Sequence, residues 1–229
     1  MYFFIKRLFD FLAALVLAIL LSPILLPVIL LLRFSGEGEV LYGQDRVGYK
    51  RSRFKIWKFA TMLKNSPNMG SKDVTLRNDP RVTFWGKYLR ITKLNELPQI
   101  FNVLVGDMSL VGPRPLMPVS FDYYTAAVQE RVYDSVPGIT GIGSLIFRDE
   151  EQLVSSQVEF DNPHDFYKQR IYPYKGQLEM WYQDNKSLWV DFLILLLTAI
   201  SLVFKDNKLV YRIFNNLPPN PFIPSVNAN

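Results

Sequence analysis

The longest apolar run of the chain, residues 11–32, contains no charged residue. A helix of this length could cross the roughly 30 Å hydrocarbon core of a bilayer. Pro23 and Pro27 lie inside the run, and a proline within a helix removes a backbone hydrogen bond and clashes with the preceding turn. The hydroxyl of Ser22 could cap a carbonyl that is freed in this way. The pattern therefore predicts a membrane helix that is broken at Ser22 and Pro23.

The charges around this run predict how it lies in the membrane. Cations flank both of its ends, and lysine and arginine are enriched in the cytoplasmic loops of membrane proteins. Both ends are therefore expected on the cytoplasmic side, which a kinked re-entrant hairpin over residues 1–34 would satisfy. A spanning helix with a proline kink and a cleaved signal peptide are the alternatives, although the apolar core of a signal peptide is normally shorter. The flanking cations are Lys6, Arg7 and Arg33.

The next part of the chain, residues 35–205, mixes short apolar and polar stretches, which predict one mainly helical domain with short strands, an α+β fold. A second apolar run, residues 192–204, would form a helix about 20 Å long, which is too short to span a bilayer. Trp181 and Trp189 precede it, as is typical at a membrane interface. We expect an amphipathic helix that lies against the membrane. The residues that end the chain are rich in Pro and Asn, and they predict an extended or disordered tail within residues 206–229.

The net charge of the chain and one basic segment favour a partner that carries phosphate groups. The chain has 229 residues, 49% of them hydrophobic, and a net charge of +5. It contains no cysteine, which excludes disulfides, thiolate metal sites and thiol nucleophiles. Residues 46–58 hold six basic residues, no acidic residue and interleaved aromatics. Such a segment could be a solvated face or could grip single-stranded nucleic acid, but its position soon after a membrane element favours anionic headgroups and a phosphorylated lipid or nucleotide.

The block from Arg90 to Pro115 carries the most information, with the sequence R-I-T-K-L-N-E-L-P-Q-I-F-N-V-L-V-G-D-M-S-L-V-G-P-R-P. It resembles the catalytic core of the bacterial sugar transferases that start glycan assembly on a polyprenol phosphate, the small monotopic phosphoglycosyl transferases. The resemblance extends to Ser22-Pro23, to residues 58–62 (K-F-A-T-M, where the family has K-F-R-T-M) and to residues 136–143 (V-P-G-I-T-G-I-G). It implies a re-entrant hairpin and interfacial helices that seat one domain on the cytoplasmic face of the inner membrane.

The resemblance also implies a reaction, the transfer of a sugar-1-phosphate from a UDP-sugar to undecaprenyl (polyprenol) phosphate with release of UMP. This is the initiating membrane step of exopolysaccharide, capsule, O-antigen or glycoprotein glycan assembly. The implied cofactor is Mg2+, which in the family is associated with the glutamate that Glu96 matches. The partners would be the UDP-sugar, the polyprenol phosphate and the membrane, with no nucleic acid, and a homodimer is left open. The phosphate-binding candidates are Lys58, Arg90, Arg114 and Arg148.

The chain departs from the family at the catalytic Asp-Glu pair, which reads Asn95-Glu96. In the family the aspartate attacks the phosphate next to the sugar, and an amide is a very poor nucleophile at phosphorus. The protein could use another carboxylate, with Asp149 and Glu150 as candidates, or let the polyprenol phosphate attack directly in a ternary complex. It could also carry an engineered Asp→Asn substitution, or be a natural non-catalytic member that binds the lipid carrier or recruits later transferases. For Asp149 and Glu150 the simpler interpretation is the acidic start of a helix.

Overall fold

The structure, a computed structural model, describes residues 1–69, 79–148, 150, 153, 163–204 and 208–222. Within these ranges helices predominate and strands are short, which confirms the predicted α+β class. The helices are α1 (Tyr2–Arg33), α2 (Phe84–Ile91), α3 (Gln99–Val105), α4 (Pro118–Phe121), α5 (Ala126–Arg131), α6 (Ile142–Ile146), α7 (Pro163–Phe166), α8 (Tyr172–Asn185), α9 (Leu188–Val203) and α10 (Lys208–Ile213). The strands are β1 (Leu41–Val47), β2 (Arg53–Phe59), β3 (Ser109–Val111) and β4 (Gly138–Thr140).

α1 is the long apolar helix that the sequence predicts, and by length and composition it could cross a membrane. The hydroxyl of Ser22 donates a hydrogen bond to the Ile19 carbonyl at 2.8 Å. This is the carbonyl that Pro23 leaves without its usual N–H partner, so the expected cap is present. The expected break is not, because α1 continues as one helix through Pro23 and Pro27.

One face of α1 packs against the rest of the protein over the whole length of the helix. The buried positions recur at the spacing of a single helix face. Near its start α1 contacts α3 and β3, and near its end it packs on Phe59 and Leu89. Its other faces expose many apolar side chains, a surface that proteins in water rarely present as one patch. The face is made of buried Lys6, Asp10, Ala14, Leu25, Val28 and Leu32, with Ala18 and Leu21 partly buried between them.

Two small sheets position the segments around the candidate site. β1 and β2 form an antiparallel hairpin, and β3 pairs with β4 in parallel. Gly112, which follows β3, lies in close contact with Gly138, the first residue of β4. The contact is so close that a Cβ on Gly138 would overlap the Gly112 nitrogen. Only glycine allows this approach. The contact fixes the start of the Pro113–Pro115 loop, and the Gly138 N–H also donates to the Pro113 carbonyl at 2.9 Å.

α9 has the two-sided character that the sequence predicts for the second apolar run. Ser187 caps its start by accepting a hydrogen bond from the Val190 N–H at 3.2 Å. Ile194 is fully buried, whereas Trp189 and Phe192 are exposed. The exposed face of α9 therefore carries the aromatic side chains of Trp189 and Phe192, which are typical of a membrane interface.

The end of the chain packs more closely on the domain than a free tail would. Residues 206–229 were predicted as a tail, extended or disordered in its Pro- and Asn-rich part, and the described residues of that part form neither helix nor strand, but α10 and the residues after it pack on the core. Val210 and Phe214 are buried, and Leu217 and Phe222 pack partly buried against the same core. A few apolar side chains among the Pro and Asn residues hold this segment against the core, and the amino-acid composition alone does not predict this packing. Residues 223–229 lie outside the described part of the chain.

A candidate anion-binding active site

A small pocket opens between the β1–β2 hairpin and the Pro113–Pro115 loop. Its lining combines three cationic side chains, one carboxylate and one amide with apolar walls. The structure thus brings together Lys58, Glu96 and Arg114, which the sequence analysis selected from distant parts of the chain. The lining residues are Arg46, Ile56, Lys58, Glu96, Gln99, Arg114, Pro115, Gly138 and Ile139.

β2, which carries Lys58 into the pocket, is docked on α3 through Asn102. The Asn102 amide nitrogen donates to the Lys55 carbonyl at 2.7 Å, and its oxygen accepts from the Trp57 N–H at 3.0 Å. Asn102 is 1% exposed, so its amide takes the place of a neighbouring strand at the edge of the hairpin. The position of Lys58 is therefore set by the helix that follows Asn95 and Glu96.

The loop that carries Arg114 is held by hydrogen bonds to its backbone. The Tyr133 hydroxyl donates to the Arg114 carbonyl at 2.9 Å and accepts from the Leu116 N–H at 2.9 Å. The Arg46 guanidinium donates to the Pro115 carbonyl at 3.2 Å. With prolines on both sides as well, Arg114 loses little backbone freedom when it binds a ligand.

Glu179 in α8 supports the same loop from the interior. Burial raises the pKa of the Glu179 carboxyl to about 7, against the opposing effects of the Arg114 backbone N–H, which donates to it, and the Lys175 charge. Its Oε2 is buried without a hydrogen-bond partner among the described residues. A buried carboxylate with this partner stabilises one conformation of the loop.

Asn95 and Glu96 lie in a short 3-10 turn, Leu94–Glu96, between α2 and α3. α2 ends at Ile91, and Lys93 adopts a left-handed conformation with φ of 59°. Asn95 is 7% exposed, and its Oδ1 has no hydrogen-bond partner among the described residues. The turn therefore buries an unsatisfied amide oxygen at the residue before Glu96, a costly arrangement that often marks a functional position. Asn95 itself is not among the residues that line the pocket.

Glu96 is the centre of the charge cluster. Its Oε1 accepts a hydrogen bond from Lys58 Nζ at 3.1 Å and lies 3.9 Å from Arg114 Nη2. Burial alone would raise the pKa of the Glu96 carboxyl, but the charges of Lys58 and Arg114 hold this pKa well below its usual range. Glu96 is therefore ionised at every physiological pH.

The cations of the pocket repel one another and are partly desolvated. Burial, together with the charges of Arg46 and Arg114, lowers the pKa of Lys58 to about 8 although Glu96 opposes this. Burial and the charge of Arg114 lower the pKa of Arg46 to about 10. The cluster has an excess of positive charge that a bound anion would neutralise.

Two of the predicted phosphate-binding residues are not among those that line the pocket. Arg90 lies in the last turn of α2, where its charge acts on Asp79. α2 ends at Ile91, before the turn that holds Glu96. Arg148 follows α6 and is half-buried, with its Nη1 enclosed and unpaired among the described residues.

Of the two carboxylates proposed as substitutes for the missing aspartate, only Glu150 lies among the described residues. Glu150 forms an ion pair with Lys175 Nζ at 2.6 Å. It does not line the described pocket, although its charge acts on Arg114. Asp149 lies outside the described residues. Neither residue is placed as a nucleophile.

The fold and the pocket together define an α+β protein with a long apolar helix that could cross a membrane and a pocket lined by three cationic side chains and one carboxylate. The model of the family described as bacterial sugar transferase matches residues 1–205. The chain therefore belongs to the bacterial sugar transferase family.

Relatives include the undecaprenyl-phosphate galactose phosphotransferase of Salmonella typhimurium, which is 34% identical over 217 residues, covering 89% of this chain and 41% of the relative. The UDP-glucose:undecaprenyl-phosphate glucose-1-phosphate transferase of Caulobacter vibrioides is 36% identical over 207 residues, covering 88% of this chain and 71% of the relative. The exopolysaccharide production protein ExoY of Rhizobium meliloti is 36% identical over 173 residues, covering 69% of this chain and 76% of the relative. The chain spans about two fifths of the length of several of the relatives that it matches.

Proposed function

We propose that this protein is a phosphoglycosyl transferase that moves a sugar-1-phosphate from a UDP-sugar to undecaprenyl phosphate and releases UMP. The observation that carries the proposal is the convergence of Arg46, Lys58 and Arg114 on the single carboxylate Glu96. Three positive charges against one negative charge leave an excess that matches a diphosphate. The relatives from Salmonella and Caulobacter are named for reactions of this kind.

The acceptor phosphate attacks directly in this proposal. An oxygen of the polyprenol phosphate forms a bond to the phosphorus that carries the sugar, the bond from that phosphorus to the bridging oxygen breaks, and its electron pair leaves with UMP. Asn95 offers no nucleophilic lone pair for a covalent intermediate. Glu96 is a poor nucleophile because Lys58 and Arg114 bind its charge. The three cations stabilise the charge that develops on the transferred phosphoryl group and on UMP.

Mg2+ is part of the proposal, and the residues fit it. The ion usually takes one or two protein carboxylates and shares the substrate phosphates. Glu96 supplies a carboxylate that lines the pocket, an oxygen ligand of the hard type that Mg2+ prefers. No cluster of three or more acidic or His ligands occurs among the described residues. When bound, Mg2+ would neutralise part of the diphosphate charge.

The test is UMP release by the full chain in lipid nanodiscs, with Mg2+, undecaprenyl phosphate and a panel of UDP-sugars. We expect UMP only when both the lipid and one class of UDP-sugar are present, with one UMP formed for each lipid product. UMP release of up to one equivalent without lipid would replace direct attack by a covalent route. If no UDP-sugar reacts while the lipid carrier still binds, the protein is a non-catalytic member and the proposed reaction is wrong.

We infer that α1 lies within one leaflet, with both of its ends on the cytoplasmic side. Near its start, Lys6 Nζ lies 2.9 Å from Asp191 in α9, and near its end Leu32 packs in one buried cluster with Phe59 of β2 and Leu89 of α2. One domain therefore contacts both ends of α1. A helix across the bilayer would have its ends on opposite sides of the membrane, where one cytoplasmic domain does not reach both.

Because the chain has no cysteine, single cysteines can test this placement. Phe4 and Phe34 are exposed near the two ends of α1, and we expect Phe4→Cys and Phe34→Cys to react with a membrane-impermeant maleimide only in inside-out vesicles. Lys55→Cys, on the exposed face of β2, is the reference for the cytoplasmic side. Labelling of the two ends from opposite sides would establish a spanning helix instead.

A further inference from the structure

The charged residues at the start of α1 all contact other parts of the protein. Lys6 is 9% exposed and forms ion pairs with Asp191 at 2.9 Å and with Asp10 of the same helix at 3.8 Å. Arg7 is exposed but donates to a carbonyl of α3, and Asp10 also accepts from β3. The contacts of Arg7 and Asp10 with α3 and β3 connect α1 to two further elements of the domain.

Arg7 caps the C-terminal end of α3. Its Nη1 and Nη2 donate to the carbonyls of Val103 and Leu104, at 2.6 and 2.9 Å. These carbonyls belong to the last turn of a helix, where they have no intrahelical partner and a cation is favourable. Gly106 follows with φ of 102°, and a Cβ there would lie 3.2 Å from Arg7 Nη2. The turn is therefore shaped around the guanidinium.

Asp10 binds the first residues of β3, on the other side of the same turn. Its Oδ2 accepts from the Ser109 hydroxyl at 2.7 Å, and its Oδ1 accepts from the Leu110 N–H at 3.1 Å. Asp10 is 3% exposed and Ser109 is 2% exposed. Buried charge-assisted hydrogen bonds of this kind are strong and hold one geometry.

The turn between these contacts, residues 106–108, joins the two walls of the pocket. α3 leads back from the turn to Glu96, and β3 leads forward to Arg114. The two side chains meet in the pocket, where Arg114 Nη2 lies 3.9 Å from Glu96 Oε1. A change at the turn that alters the angle between α3 and β3 would therefore move these two groups relative to each other.

We propose that Arg7 and Asp10 are positioning residues that couple the seating of α1 in the membrane to the alignment of Glu96 and Arg114. The proposal rests on the proposed transferase function, because its effect is on the same pocket. Phosphoryl transfer depends on alignment, and a displacement of about 1 Å can cost about a hundredfold in rate. Arg7 and Asp10 therefore influence catalysis without touching the substrate.

The first test compares the loss of an arginine at each end of α1. Arg7→Ala and Arg33→Ala remove the same charge from the two ends, but Arg33 donates only to the Gly38 carbonyl in its own neighbourhood. We expect kcat for UMP release to fall by about ten- to a hundredfold in Arg7→Ala, with a change below about threefold in Arg33→Ala. Arg7→Lys, which keeps a cation near the carbonyls, should recover part of the loss. Equal losses in the two alanine variants would mean that the arginines serve membrane attachment alone, and the proposal would be overturned.

A double-mutant cycle separates positioning from a general loss of folded protein. Asp10→Asn keeps the shape of the side chain but removes its charge, and Arg114→Lys weakens the phosphate contact while leaving a cation. If Asp10 acts through Arg114, the double variant should be little worse than Arg114→Lys alone. Independent, multiplying losses would overturn the proposal.

UDP affinity, measured by calorimetry on the same nanodisc samples, provides a reading that does not need turnover. The proposal expects UDP to bind more weakly to Arg7→Ala and Asp10→Asn than to Arg33→Ala. If the unsubstituted protein binds UDP but never releases UMP, the transferase function fails by itself. If turnover is normal in Arg7→Ala and Asp10→Asn, the coupling fails and the transferase function stands.

Discussion

Glu96→Gln should lower UMP release by at least about a hundredfold, the loss that follows when one well-placed electrostatic group is taken from a transition state. Glutamine keeps the size of the side chain and removes only its charge. Lys58 and Arg114 would then face each other without the carboxylate that now accepts from Lys58 Nζ at 3.1 Å. Because burial already lowers the pKa of Lys58 to about 8, Lys58 is about half charged at pH 8, and loss of Glu96 should lower this pKa further and leave Lys58 mostly neutral at that pH. In the proposed mechanism the variant thus loses the carboxylate offered to Mg2+ and part of a phosphate contact in one step.

The control for this variant is Glu130→Gln, which removes a carboxylate from an exposed position of α5 outside the pocket. We expect its rate to stay within about twofold of the unsubstituted protein, since surface substitutions away from a site have small effects. The measurement is the initial rate of UMP release at saturating UDP-sugar and undecaprenyl phosphate, in nanodiscs. Full activity of Glu96→Gln would show that the charge cluster is structural, and the proposed site would have to be abandoned.

The sequence predicts the parts of the site that belong to an ordered motif. Lys58, Glu96 and Arg114 lie far apart along the chain, and only the fixed order of residues around them indicated that they meet. The structure brings all three into one pocket. Their arrangement follows from backbone features in the same motifs, such as the contact between Gly112 and Gly138.

The residues that the sequence analysis missed depend on contacts without a local pattern. Arg46 is one of six basic residues in its segment, and only its reach across to the Pro115 carbonyl distinguishes it from the others. Tyr133 and Glu179 support the Arg114 loop from elements that are remote in sequence. Asn102 is within the recognised block, but its link to β2 requires the hairpin to be known.

Motif order and charge counting do not tell where the backbone or a distant partner places a residue. Arg90 was selected as a phosphate-binding residue by its place in the motif, but it lies in α2, which ends before the turn that holds Glu96, and it does not line the pocket. Lys6 was counted as a membrane-flanking charge, whereas its partner Asp191 lies near the other end of the chain. Nothing local to α1 indicates that partner, so the buried ion pair could not be predicted from the sequence.

Asn95→Asp should give the protein an activity that it does not have in our proposal, UMP release without an acceptor lipid. The carboxylate of the new aspartate has the nucleophilic oxygen that the amide lacks. It would attack the phosphorus that carries the sugar, form a phosphosugar-enzyme and release UMP, as the family resemblance implies for this position. Asn95 precedes Glu96 in the same turn but does not line the pocket, so the burst requires the new carboxylate to turn into the pocket, where the cations would stabilise the transition state of this step.

The measurement is a rapid-mixing experiment with UDP-sugar and Mg2+ but no lipid, followed by intact-protein mass spectrometry. We expect a burst approaching one UMP per protein in Asn95→Asp, a matching mass increase of one sugar phosphate, and neither in the unsubstituted protein. Asn95→Ala is the matched control, because it removes the amide without adding a nucleophile and should show no burst.

Replacing a buried amide by a charge next to Glu96 raises the pKa of one of the two carboxyls, so the burst should grow with pH. A stable, folded Asn95→Asp protein without any burst would contradict the assignment of residue 95 to the nucleophile position. A burst in the unsubstituted protein would instead contradict direct attack by the acceptor phosphate.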